Sequence, residues 1–187
     1  AERERAHLGA KCGHAADAME PLNSVCKVAF AKHRAGVAAI VRAASSAGLR
    51  PLTEVCATVS PLDQARPADI LLPSFSRGRD LIIDFTVATA LSNVEKAAQD
   101  PTSAMAAVIA SKRTKYAGRI PLDSDFFVFA VDSTGGIHHS AHPFIRRLAI
   151  PLSHNLGIPI PSAISRIVQS ISFSVVAEAG RGMSRMR

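Results

Sequence analysis

Apolar positions recur every three or four residues between Cys26 and Ala47. Phe30, Val37, Ile40, Val41 and Ala44 share one face with His33, a period that predicts an amphipathic helix. Gly48 suits a left-handed C-terminal residue, and Pro51 forbids continuation. The period then changes. Residues 54–59 read as a short strand, followed by a loop holding Pro61 and Pro67. Two apolar runs follow, 69–73 and 80–88, and each carries one aspartate. Fourteen residues separate Asp69 from Asp84, with the turn formers Ser74, Gly78 and Arg79 between them. Runs of this kind predict an antiparallel hairpin.

Asp100-Pro101-Thr102 has the chemistry of a helix start, an N-cap followed by proline at the first helical position. The spacing predicts a helix over 101–117 that ends at Gly118. Phe126 to Val131 is a continuous apolar run, as in a strand covered on both faces. Ser133 to Gly136 is a turn, with Asp132 at its start. Residues 143–150 and 162–177 read as closing helices, and the basic end of the chain as a frayed tail. Helices covering one mixed sheet make an α/β layered domain. Three parts are expected: an N-terminal segment 1–25, a core domain 26–178 and a basic tail 179–187.

At 187 residues the chain suits one domain with a small appendage. It lacks an initiator methionine and begins with alternating charges, which predicts a fragment or processed product without a secretory signal. No apolar run reaches the roughly 18 residues needed to span a bilayer, so no membrane partner is expected. Cys12, Cys26 and Cys56 are an odd set that builds no disulfide framework, which points to a reducing, intracellular compartment. The net charge of +7 favours a polyanionic partner, most simply DNA, and so the nucleus. A single tyrosine and no tryptophan argue against a platform for stacking single-stranded bases.

An aspartate inside a buried strand is costly unless something pairs with it. Two on adjacent strands repel unless a cation stands between them, which is how a metal-dependent nuclease holds Mg²⁺. In the helix 101–117, Met105, Val108, Ile109, Lys112 and Tyr116 fall on one face, which should pack on the sheet. Lys112 either snorkels to solvent from the edge of that stripe or is held beside Asp69 and Asp84. The two strand aspartates favour the second alternative, with Lys115 as the fallback. His138, His139 and His142 follow the Gly-Gly turn, either as solvated surface or as a metal site without a nearby carboxylate. Nucleophile-elbow, P-loop and dinucleotide-binding motifs are absent.

Taken together, Pro67-Ala68-Asp69, then Asp84, then Lys112-Arg113-Thr114-Lys115-Tyr116 resemble the PD-(D/E)XK restriction-like nuclease superfamily. More narrowly, they resemble the C-terminal endonuclease domain of site-specific non-LTR retrotransposons, over roughly residues 8–187. That family has an R-P-D or R-P-A-D strand, an I-D-V-T-V strand and a helix ending in K-x-x-K-Y. Phe127 to Val131, Gly135-Gly136 and Phe144 to Leu148 resemble its next strand, turn and helix. Ile171 to Arg187 is similar to its basic C-terminal helix. The resemblance implies a restriction-endonuclease-like core, a mixed β-sheet flanked by helices, and hydrolysis of DNA phosphodiesters. Asp69 and Asp84 would hold Mg²⁺ or Mn²⁺, and Lys112 would complete the catalytic set, with Lys115 and Tyr116 as alternatives. Arg77, Arg79, Arg113, Lys115 and Arg119 would contact the nucleic acid. Two departures stand out: Thr86 occupies the usual lysine position, and no acidic residue lies between Phe30 and Arg50, where the superfamily often has a glutamate.

Relatives of that type also carry a zinc knuckle. Here Cys12 and Cys26 match two ligands, while Gly9 and Leu22 stand where the others belong. Structural zinc takes four ligands, so no zinc is expected unless His14 and His33 rescue the site. Three functions compete: an Mg²⁺-dependent endonuclease, the same fold retained as a catalytically eroded DNA-binding module, and an α/β protein-interaction domain.

Overall fold

The computed structural model describes residues 20–55, 68–88 and 102–184. Helix α1 spans Glu20–Ser46. Strands β1 (Leu52–Val55), β2 (Ala68–Ser76) and β3 (Arg79–Ala88) follow, then helix α2 (Ser103–Tyr116) and strand β4 (Ser124–Asp132). A short 3₁₀ turn at His139–Ala141 leads into helices α3 (His142–Leu156) and α4 (Ile160–Ser184). The four strands form one mixed sheet in the order β1-β2-β3-β4. The first three are antiparallel neighbours, and β4 joins β3 in parallel through the α2 crossover. The protein is therefore a mixed α/β domain, with helices on both faces of its sheet.

Side chains alternate across the sheet, so the two faces carry different sets. One face presents Ile70, Leu72, Leu81, Ile83, Phe85, Phe129 and Val131. Ile40 and Ala44 of α1, Ile145 and Leu148 of α3, and Ile167, Ile171 and Val175 of α4 close over it. Phe85 stacks on Phe129, with centroids 5.7 Å apart, and Phe144 meets Phe129 edge-on. The opposite face is smaller: Ala88, Phe126, Val128 and Ala130 meet Met105, Val108 and Ile109 of α2.

The hairpin between β2 and β3 turns on Arg77 and Gly78, which both have positive φ (53° and 79°). Two-residue hairpins of the primed type require this, and only the glycine adopts it without steric cost. Ser74, expected in the turn, instead lies in an irregular stretch of β2, where the register shifts between Leu72 and Ser76. Its amide donates to Asp80 Oδ1 at 2.8 Å.

Several expected boundaries move. Helix α1 begins at Glu20, so the division at residue 25 falls inside a helix. Thr102 precedes α2 without a side-chain capping bond, and Asp100 and Pro101 lie outside the described residues. The strand expected at 54–59 is β1, at 52–55, with 56–59 outside the described residues. Helix α3 continues through Pro151 to Leu156. Helix α4 continues to Ser184, so most of the tail expected to fray is helical. Against the expectation that no apolar run reaches spanning length, Ile160–Glu178 is long and apolar enough to cross a bilayer by length and composition, with a hydropathy of 1.3. Ala163, Ile167, Ile171 and Val175 of this helix are buried in the core it shares with α1 and α3.

Candidate active site

The register of the hairpin decides where its aspartates meet. Ile70 is opposite Ile83, and Leu71 is opposite Ile82. One further step places Asp69 opposite Asp84, and directly opposed residues share a face. Since Ile70 and Ile83 face the large core, the two aspartates belong to the α2 side. Both are buried, at 8% and 5% exposure. Polar side chains withdrawn this far from water need partners, and each has them.

Lys112 reaches Asp84 from α2. Its Nζ donates to Oδ1 at 2.7 Å and to Oδ2 at 2.8 Å. The helical pattern explains the placement: Met105, Ile109 and Tyr116 of the same face are buried, and Lys112 shares their stripe. Asp69 is held from the other side. His33 Nε2 lies 3.0 Å from Asp69 Oδ2, and the Phe85 amide donates to the same oxygen at 2.8 Å. The Asp69 carboxylate thus takes an amide of the neighbouring strand where a carbonyl would otherwise stand.

The Asp84 carboxyl is pushed up from 3.8 to about 6. Burial is the largest cause; the charge and hydrogen bonds of Lys112 oppose it, and the Asp69 carboxylate adds to it. Two buried carboxylates thus stand on opposed residues, with Lys112 paired to Asp84 and His33 beside Asp69, and a pair of carboxylates of this kind suits a hard divalent cation with oxygen ligands. Among the described residues, no group of three or more His, Cys, Asp and Glu could enclose a metal. Mg²⁺ does not require one: it binds through one or two carboxylates and fills its remaining positions with water and substrate phosphate. The donor set fits that chemistry, and Asp69 and Asp84 are the residues that could hold such an ion.

The other candidates are dispersed. Lys115 is exposed, its Nζ 5.1 Å from the Tyr116 ring centroid. Tyr116 is buried, edge-on to Phe126. Neither meets Asp84 as Lys112 does. Arg113 and Arg119 are exposed at the C-terminal end of α2 and just beyond it. Arg77 and Arg79 stand at the hairpin tip. Arg79 lies five residues along β3 from Asp84, about 17 Å at strand spacing. Its guanidinium donates to Asp125 Oδ1 at 2.9 Å and to the Ser124 carbonyl at 3.0 Å. The hairpin arginines thus stand apart from Arg113, Lys115 and Arg119 at the end of α2.

The zinc-rescue set is divided as well. Cys12 and His14 lie outside the described residues, Cys26 falls in the early turns of α1, and His33 is engaged with Asp69. His138, expected at the surface, is buried; its Nδ1 lies 2.8 Å from Ser140 Oγ and accepts from the Ser140 amide. Asp132 is a turn residue, as its position suggested: Oδ1 accepts from the Thr134 and Gly136 amides and the Thr134 hydroxyl.

One site residue was singled out in the sequence for a different role, and one escaped it. His33 was named as a helix-face residue and a possible zinc ligand, whereas the structure sets it against Asp69. Gly36 carried no signal. A Cβ there would lie 2.1 Å from Phe85 Cζ, so α1 approaches β3 closely only because this residue has no side chain. No protein-family model matches the chain, and the comparison with curated proteins finds no match.

Proposed function

We propose that this domain is a metal-dependent DNA endonuclease with a restriction-endonuclease-like core, of the type found at the C-terminus of non-LTR retrotransposon proteins. One observation carries this reading: Asp69, Asp84 and Lys112 converge, from two strands and a crossover helix, on the smaller face of the sheet. Mg²⁺ or Mn²⁺ held by Asp69 and Asp84 would supply an acidified water and offset charge building on the phosphate. The chain's own groups have distinct tasks. Asp69 is oriented by two donors on one oxygen, so its carboxylate does not rotate freely. Asp84 is protonated more readily than an ordinary aspartate, and it acts as a ligand only when ionised. Lys112 brings an ammonium group within hydrogen-bond reach of Asp84, so a phosphodiester bound at this site meets a preorganised positive charge. Arg113, Lys115 and Arg119 extend that charge along the α2 end and suit phosphate contacts to flanking DNA.

A second reading has an observation of its own. Lys112 already engages both oxygens of Asp84, as a purely structural ion pair would. The domain would then bind DNA without cutting it. Incubating supercoiled plasmid with the protein and Mg²⁺ or Mn²⁺, beside an Asp84→Ala control, separates the two. Cation-dependent nicking that disappears in the control supports the endonuclease. Plasmid binding without nicking selects the eroded module.

A further inference from the structure

His33 is not explained by the carboxylates and the lysine alone. It comes from α1, whose apolar side packs on the opposite face of the sheet, yet its ring reaches the end of β2 and meets Asp69. We propose that His33 is a positioning residue of the cation site, fixing the Asp69 carboxylate so that α1 becomes part of the binding apparatus. This inference rests on the endonuclease reading.

Three observations carry it. First, the contact is specific: Nε2 lies 3.0 Å from Asp69 Oδ2, and the histidine side chain is 18% exposed. Second, His33 and the Phe85 amide converge on the same oxygen from two different elements. A carboxylate has one soft torsion, and two donors on one oxygen fix its plane. Third, α1 is locked at this point. The His33 ring packs edge-on against Phe85, with centroids 5.7 Å apart, and Gly36, almost one turn further on, leaves the space that Phe85 fills. His33 therefore reaches Asp69 from a helix whose distance from β3 is set by packing rather than by the hydrogen bond itself. A group that orients a metal ligand in this way typically contributes 10- to 100-fold to cation affinity, roughly the range known for histidine–carboxylate pairs at metal sites.

A merely structural tie would also connect α1 to β2, so the test must read the cation. Mn²⁺ binding to the full chain is measured by electron paramagnetic resonance of free Mn²⁺, for wild type, His33→Ala, His33→Gln and His33→Asn, with Asp84→Ala as the site control. Thermal unfolding without metal is recorded for each variant. Glutamine can place its amide nitrogen near the position of Nε2, whereas asparagine reproduces Nδ1. The expected result is a loss of roughly tenfold or more in Mn²⁺ affinity for His33→Ala and His33→Asn, substantial recovery in His33→Gln, and no correlation with the metal-free melting temperatures. Wild-type affinity in a folded His33→Ala variant overturns the role of His33 and leaves the endonuclease reading intact. Affinity losses that follow the melting temperatures, with no recovery in His33→Gln, reduce His33 to a structural tie. If wild type and Asp84→Ala bind Mn²⁺ equally weakly, the endonuclease reading fails and this proposal falls with it.

Discussion

The two faces of the sheet carry different responsibilities. The face under α1, α3 and α4 is a continuous apolar layer of Ile70, Leu72, Ile83, Phe85 and Phe129, joined by three helices. The face under α2 has a short apolar cluster at one end and two buried aspartates beside it. Hydrophobic burial scales with apolar area removed from water, so the first face supplies most of the stability. The second gives up part of that gain to hold charge away from solvent. Asp69 and His33 are where the two sides connect. A charged site needs a rigid support it does not itself provide, and here the support lies on the other side of the same strands.

The strongest way to break this contrast is to remove a core aromatic ring. Phe129→Ala should cost about 3–5 kcal/mol, since Phe129 is fully buried and flanked by Phe85, Phe127 and Phe144. Urea unfolding measures it. A cost below about 1 kcal/mol would mean that the large face is not the stabilising one.

Next in size is Lys112→Met, which leaves Asp84 buried with its main countercharge removed. Breaking one side of a buried pair costs about 3–5 kcal/mol when the remaining charge cannot escape. Asp84 can escape by taking a proton. The loss should therefore be clearly smaller at pH 5 than at pH 8, and equal losses at both values would contradict the charge argument.

A third prediction concerns pH alone. The folded state raises Asp84 from 3.8 to about 6, so the fold holds this proton more tightly than the unfolded chain does. The stabilisation is complete below about 3.8 and is lost as the pH rises through about 6. Its size is on the order of 2–3 kcal/mol, from about 1.4 kcal/mol per unit of pKa. Metal-free protein should lose stability between pH 4 and pH 7, Asp84→Asn should flatten that slope, and Mg²⁺ should restore stability chiefly at the upper end. A rise in stability across this range in wild type would reverse the sign and exclude the burial mechanism.

Gly36→Ala tests the junction between the faces. The added methyl collides with the Phe85 ring, and overpacking of this kind costs about 1–3 kcal/mol. Cation binding should weaken along with stability, because Phe85 also presents the amide that holds Asp69. The smallest effect is expected in DNA binding. Replacing Arg113 and Lys115 by alanine should flatten the dependence of log affinity on log salt by about 0.9 for each phosphate no longer neutralised. Replacing Arg79 should change it less, since its guanidinium is occupied by Asp125 and the Ser124 carbonyl. Equal changes would place the hairpin tip and the α2 end in one DNA-binding surface.

Sequence periodicity carried far in the regular elements. The apolar spacing of Ile40, Val41 and Ala44 marked α1, the run from Phe126 to Val131 marked β4, and two apolar runs separated by Ser74, Gly78 and Arg79 marked the hairpin. The stripe Met105, Ile109, Lys112 and Tyr116 placed Lys112 on the buried side of its helix. Those features depend on neighbours within one or two turns, and local sequence encodes such neighbours directly. Element ends were less legible. Helix α1 extends from Glu20 and α4 to Ser184, beyond the apolar periodicity that marked each helix in the sequence.

Sequence by itself determined that two aspartates would sit in adjoining strands and that a helix would bring a lysine to the sheet. Period two and period 3.6 dictate which side chains share a face, whatever the rest of the chain does. Only the tertiary structure decided that His33 meets Asp69, that Gly36 is the gap into which Phe85 fits, and that Arg79 turns to Asp125 some distance from the carboxylates. Each of these depends on residues far apart in the chain: 36 positions separate His33 from Asp69, and 46 separate Arg79 from Asp125. Contacts of that separation are set by how layers stack and how closely a helix approaches a strand, and no local pattern of apolar and polar residues specifies that distance.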